Sequence, residues 1–146
     1  MLLSHHAPCD FDRTWSIGGI RVCVRCLAVF VFAVLGFLAA FHFSDPLSLG
    51  SLTAGLSVFP AWVDFAVGEL WKGYPRTNFF RFSTGMIFGC GLGVSLGWVV
   101  FAGRWWPFLT FFVLTVFCEL MIAFAFYFSG HLQSYLSKYE CAVNNS

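Results

Sequence analysis

Long apolar stretches separated by short polar ones set the plan of this chain. They run from about Val24 to Phe43, Leu47 to Trp71, Phe82 to Ala102, and Trp106 to Ser129. A bilayer core about 30 Å thick needs about 20 apolar residues of helix, and each stretch meets that length. The breaks Ser44-Asp45-Pro46 and Gly103-Arg104-Trp105 are short enough for tight connections between antiparallel neighbours. The connection from Lys72 to Arg81 is longer and polar, and the tail from Gly130 to Ser146 is soluble in character. The pattern predicts an all-α, integral membrane four-helix bundle that forms a single membrane domain over residues 1–146. Its parts are a cytoplasmic segment 1–22, helices at about 24–43, 47–71, 82–102 and 106–129, and a cytoplasmic tail 130–146.

The basic residues orient these helices, because Lys and Arg accumulate in cytoplasmic loops. Of the eight, Arg13, Arg21, Arg25, Lys72, Arg76, Arg81 and Lys138 fall on the side of the N-terminus, middle connection and tail, and only Arg104 falls opposite. Both termini are therefore expected to be cytoplasmic. Trp98, Trp105 and Trp106 would then belong to the outer aromatic belt and Trp71 to the inner one.

Composition supports the same class. The chain is 59% hydrophobic and 10% charged, whereas soluble domains carry about 25% charged residues. A net charge of +1 makes no case for nucleic acid. The segment before Thr14 lacks the apolar core of a cleavable leader, so insertion is expected to be directed by the first membrane helix. Pro60 removes a backbone donor and predicts a kink one turn before Asp64. Gly85, Gly89, Gly93 and Gly97 recur at every fourth position, a stripe that lets another backbone approach closely. That stripe reads as packing within the chain, as a dimerisation face, or as a seat for a cofactor or lipid.

One cluster carries most of the chemistry. His5, His6, Cys9, Cys23 and Cys26 gather at the head of the first helix, with Arg21 and Arg25 beside the thiols. Thiolate and imidazole are the ligands of tetrahedral zinc, and Cys9 with one His would complete the Cys23-x-x-Cys26 pair. The spacing differs from the two close pairs of a zinc finger, so a thiol-redox pair and reduced cysteines packing a helix end remain open. A reducing cytoplasm disfavours a disulfide there. Cys90 and Cys118 read as buried apolar residues.

Intramembrane acids come next. Asp64 lies about 10 Å inside the inner interface, with Arg25, Arg76 and Arg81 as possible partners. Glu119 lies near the middle of the fourth helix with no base at its depth, and is expected to be protonated or hydrogen-bonded to neighbouring Ser and Thr. Arg76, Asn78 and Arg81 open the third helix, where free N–H groups and guanidinium would suit an anion, with ordinary anchoring and capping as the alternative. His42 and His131 fall at opposite ends of the helices, too far apart to share a haem iron.

The run His5-His6, Arg13 and Cys23-Val24-Arg25-Cys26, followed by Pro60, Asp64, Thr77-Asn78 and Arg81-Phe82-Ser83-Thr84-Gly85, resembles a small bacterial and archaeal membrane family. It is the domain-of-unknown-function family 2085, and the likeness spans about Ser4 to Gly97. The resemblance implies a multi-pass protein of the bacterial or archaeal cytoplasmic membrane with no established activity. Three functions then stand beside one another. The first is an accessory or structural subunit of a larger membrane complex, respiratory or photosynthetic, with a structural zinc and with lipid and other subunits or further copies as partners. The second is a membrane metalloenzyme acting on an anionic amphiphile at the inner leaflet, with Asp64 as ligand or base. The third is a four-helix thiol oxidoreductase using Cys23 and Cys26. Few polar residues lie outside the cluster, which places the structural reading first.

Overall fold

A computed structural model describes residues 2–3, 14–42, 54–70, 74 and 77–130. Three short strands precede the helices, an addition to the all-α expectation. They are β1 (Leu2–Leu3), β2 (Thr14–Ile17) and β3 (Ile20–Cys23), in the order β1-β3-β2. β2 and β3 pair antiparallel with Ile17 opposite Ile20, and β1 pairs parallel with β3. Gly18 and Gly19 form the two-residue turn at φ +57° and +81°. A tight hairpin matching strand twist needs both central residues left-handed, which glycine adopts without strain. A Gly-Gly pair between Thr-Trp-Ser-Ile and Ile-Arg-Val-Cys is the sequence signal of this hairpin.

β3 passes straight into α1 (Val24–His42). The remaining helices are α2 (Val58–Leu70), α3 (Asn78–Ala102) and α4 (Trp106–Phe128). Among the described residues, α1, α3 and α4 are long and apolar enough to cross a membrane. The second span expected at about 47–71 is not among them, because its described part is broken and the helix Val58–Leu70 has 13 residues. Residues 54–56 are helical, a turn at Ser57 interrupts them, and α2 restarts at Val58. The irregularity expected at Pro60 therefore falls just ahead of it. Pro60 sits in the first turn of α2, where its missing N–H is not needed, and the Ser57 hydroxyl donates to Ala54 O at 2.6 Å. α3 starts at Asn78 rather than Phe82 because Thr77 caps it, its Oγ1 accepting from Phe80 N at 3.5 Å. At the other end Gly103 takes φ +63° and stops the helix.

α3 is the central helix. α1 runs parallel to it and packs almost wholly against it. Gly85 faces the Arg25 carbonyl and Ala28, Gly89 faces Val29, Gly93 faces Ala33, and Gly97 faces Phe37 and Ala40. Gly36 of α1 reciprocates, apposed to the Cys90 carbonyl. The glycine stripe is thus filled by α1 of the same chain. On another face of α3, Gly91 abuts Ser57, and Val58, Phe111 and Cys118 form a small core with Trp62, Phe88, Leu92 and Leu114 around it. Phe88 and Phe111 meet with ring centroids 5.0 Å apart. Trp98, expected in the outer aromatic belt, is buried at 4% exposure, while Trp105 and Trp106 are exposed.

Candidate functional site

The start of α1, the finish of α2 and the start of α3 meet at the hairpin end of the molecule. Trp15 of β2 stacks on Phe82 of α3 with centroids 5.6 Å apart and seats the hairpin there. Phe65 of α2 stacks on Phe126 of α4 at 6.3 Å, so both descending helices finish at this end.

Asp64 is the centre of the arrangement. It is buried on α2, at 6% exposure. Arg25 forms an ion pair with it through Nη2 and Oδ2. The Tyr74 hydroxyl donates to Oδ1 at 3.0 Å. The Thr84 hydroxyl lies 3.4 Å from Oδ2, and 3.0 Å from the Phe80 carbonyl, which competes for its single proton. A carboxylate removed from water is costly unless it is paired and hydrogen-bonded. Here both oxygens are engaged by protein donors. Arg25, one of the three basic candidates for Asp64, pairs with it, and its backbone carbonyl also seats Gly85. Close approach at Gly85 brings α1 near α3, and the ion pair then reaches across to α2.

Burial pushes the Tyr74 phenol above its ordinary value, and its bond to Asp64 adds to the rise. Arg25 and Arg81 act on it in the opposite direction, so both guanidinium groups are felt at this hydroxyl. Tyr74 was not among the candidate residues of the sequence. A tyrosine beside Pro75 in the middle connection reads as interfacial, and only the fold brings its hydroxyl to Asp64. Arg81 is buried at 9% exposure in the first turn of α3, one turn before Thr84. Asn78 opens the same helix, with its Oδ1 buried and without a hydrogen-bond partner among the described residues. Arg76 lies outside the described residues.

Cys23 and Cys26 straddle the junction of β3 and α1. Cys23 is buried, Cys26 is exposed, and their reduced side chains hydrogen-bond to each other. Arg25, the partner of Asp64, stands between them in sequence. His5, His6 and Cys9 lie outside the described residues, and among the described residues no group of three His, Cys, Asp or Glu could hold a metal. The strands nevertheless bracket that segment. Leu3 pairs with Val22 and Thr14 pairs with Cys23, so the chain leaves and re-enters the sheet beside Cys23.

Glu119 is exposed on α4 and has no hydrogen bond or ion pair among the described residues. Two hydroxyls of α4 itself and Ser95 of α3 are turned back on their own helices. Thr110 donates to Trp106 O at 3.0 Å, Thr115 to Phe111 O at 2.8 Å, and Ser95 to Gly91 O at 2.6 Å. His42 ends α1 edge-on to Phe41, and His131 lies outside the described residues.

A family profile described as "Predicted membrane protein (DUF2085)" matches residues 9–95. The match takes in the hairpin, α1, α2, the Asp64 cluster and most of α3, and stops before α4. No curated protein and no solved structure matches the chain.

Proposed function

Taking as premise that the chain belongs to the DUF2085 family of predicted membrane proteins, we propose that it is an accessory or structural membrane protein. In this reading a metal-and-ion-pair clamp at the cytoplasmic face ties the N-terminal segment to the helices. The observation that carries it is the state of Asp64. Its carboxylate is buried and engaged by Arg25 and Tyr74, with Thr84 alongside. A general base needs an oxygen available to substrate, and a carboxylate held by a cation and a phenol suits a fastener instead. Cys23, Cys26, Cys9 and one of His5 or His6 are the proposed zinc ligands. The bracketing of residues 4–13 by β1 and β2 supports their proximity, since both ends of that stretch start beside Cys23. Zinc would supply a closed tetrahedral cross-link with no open coordination position.

We extend the same reading to topology. The chain crosses the bacterial or archaeal cytoplasmic membrane four times, with α2 and its preceding residues as the second span and both termini cytoplasmic. Arg21, Arg25 and Arg81 gathered at the hairpin end, with Arg104 at the other, support that orientation.

Elemental analysis of the full chain, purified in mild detergent, tests the clamp. About one zinc per chain is expected, lost in Cys26→Ser and kept in Asp64→Asn. Purified protein without metal, and with thermal stability indifferent to chelator, overturns the zinc assignment. Retention of metal and fold in Cys23→Ser together with loss of thiol exchange would favour the oxidoreductase.

A further inference from the structure

Glu119 has a place in the fold that neither the clamp nor the family match accounts for. It stands thirteen residues after Trp106 and nine before Phe128, so roughly 13–20 Å of helix separates it from either end of α4. That is mid-bilayer depth. It nonetheless faces away from the other helices, on a surface shared with Phe112, Val116, Leu120 and Tyr127, all exposed. An ionisable side chain at this depth is costly against lipid and is normally matched by a group on a neighbouring helix or in water. Among the described residues nothing matches it. The chain's eight Lys and Arg cluster outside the apolar stretches or at their ends, so none lies at its level. A second copy would therefore offer no cation there, and the Ser95 and Thr115 hydroxyls spend their protons on carbonyls of their own helices.

We propose that the Glu119 face of α4 is a docking surface for a transmembrane helix of another protein, one carrying a cation or an N–H donor at mid-bilayer depth. This rests on the accessory-subunit reading and deepens it by naming the contact face and the chemistry of the partner. Charge complementarity identifies the occupant: lipid tails offer Glu119 no donor, and this chain's own helices offer no cation. The surrounding side chains supply an apolar seat, and the carboxyl supplies register, as polar groups do between membrane helices.

Photo-crosslinking of the full chain in its native membrane tests this. A crosslinker is placed at Val116 or Leu120 on the α4 face, and separately at Leu35 on the exposed face of α1. The proposal expects a crosslink from α4 to a helix of a different protein that bears Lys, Arg, His, Asn or Gln at matching depth. Glu119→Leu is expected to reduce it about tenfold, the scale of an interhelical hydrogen bond in a bilayer, while Glu119→Gln retains much of it. Where the partner residue is a cation, Glu119→Lys abolishes the crosslink and an acidic substitution at that cation restores it. A crosslink from α4 to a second copy, only to lipid, or unchanged in Glu119→Leu overturns the proposal. A protein partner captured at Leu35 but not on α4 leaves the accessory-subunit reading standing while removing this face. Lipid alone at both positions removes both.

Discussion

The α1–α3 contact makes a sharp energetic prediction at Gly89. A Cβ there would stand 2.5 Å from the Val29 carbonyl oxygen and 2.9 Å from Val29 Cα. Ordinary Cβ contacts lie at 3.4–4 Å, and the obstructing atoms are helix backbone, which cannot rotate aside. Gly89→Ala must therefore push the two helices apart by roughly 1 Å, enough to forfeit a quarter to a half of the dispersion attraction at each nearby contact. Overpacking of this kind costs about 1–3 kcal/mol. Gly55→Ala is the matched control. Its Cβ would meet Leu114 Cδ1 at 3.0 Å, the far end of a flexible side chain that can turn away. Ala is the better helix former by about 1 kcal/mol at both helical positions, so the difference between the variants isolates the packing. Unfolding by SDS titration in mixed micelles, followed by far-UV circular dichroism, should find Gly89→Ala less stable than Gly55→Ala by about 2 kcal/mol. The gap should not depend on protein concentration, because the contact lies within one chain. Equal stability of the two variants, or a gap that vanishes on dilution, would refute the reasoning.

Asp64→Ala leaves the Arg25 cation without its carboxylate and should cost about 3 kcal/mol in the same assay. Asp64→Asn, which keeps an acceptor for Tyr74, should cost less, and equal losses would show that the charge pair is not what matters. The Tyr74 phenol, raised by burial and by Asp64, should ionise above its ordinary value of 10.0 in an ultraviolet titration at alkaline pH, and Asp64→Asn should lower that value toward the ordinary one. Because the folded value lies above the unfolded one, this group's contribution to stability is fully present below about pH 10 and is lost as pH rises through the raised value. A Tyr74 titration at or below that of a free phenol contradicts the buried bond.

Much of the scaffold was legible because the solvent imposes it. A bilayer demands long apolar helices, so the starts of α1 and α4 and the end of α3 fall where hydropathy puts them. Glycines at every fourth residue implied close helix packing whatever the partner. Asp64, as a carboxyl in an apolar stretch, announced that it needed a companion. The hairpin was legible in Gly18-Gly19 but is easily overlooked beside the cysteines. The start of α3 was misplaced because Thr77 acts as a cap while Asn78 and Arg81, polar by composition, sit inside the helix.

Tertiary structure alone decided who meets whom. Arg25, Arg76 and Arg81 were equivalent partners for Asp64 by depth, and the 39-residue separation between Arg25 and Asp64 closes only because α1 can approach α3 along the glycine stripe. The same fold turned Trp98 inward and Glu119 outward, which hydropathy cannot distinguish, because it registers depth along a helix and not the direction a side chain faces. Residue types along the chain were enough to mark a membrane protein with helical spans and an unusually polar end. The packing decided that this end is fastened by Arg25, Asp64 and Tyr74, and that α4 carries a carboxyl on its exposed face. The physical reason is common to both: burial from water is encoded locally in residue type, whereas the partner that makes a buried charge tolerable is fixed by contacts between distant segments.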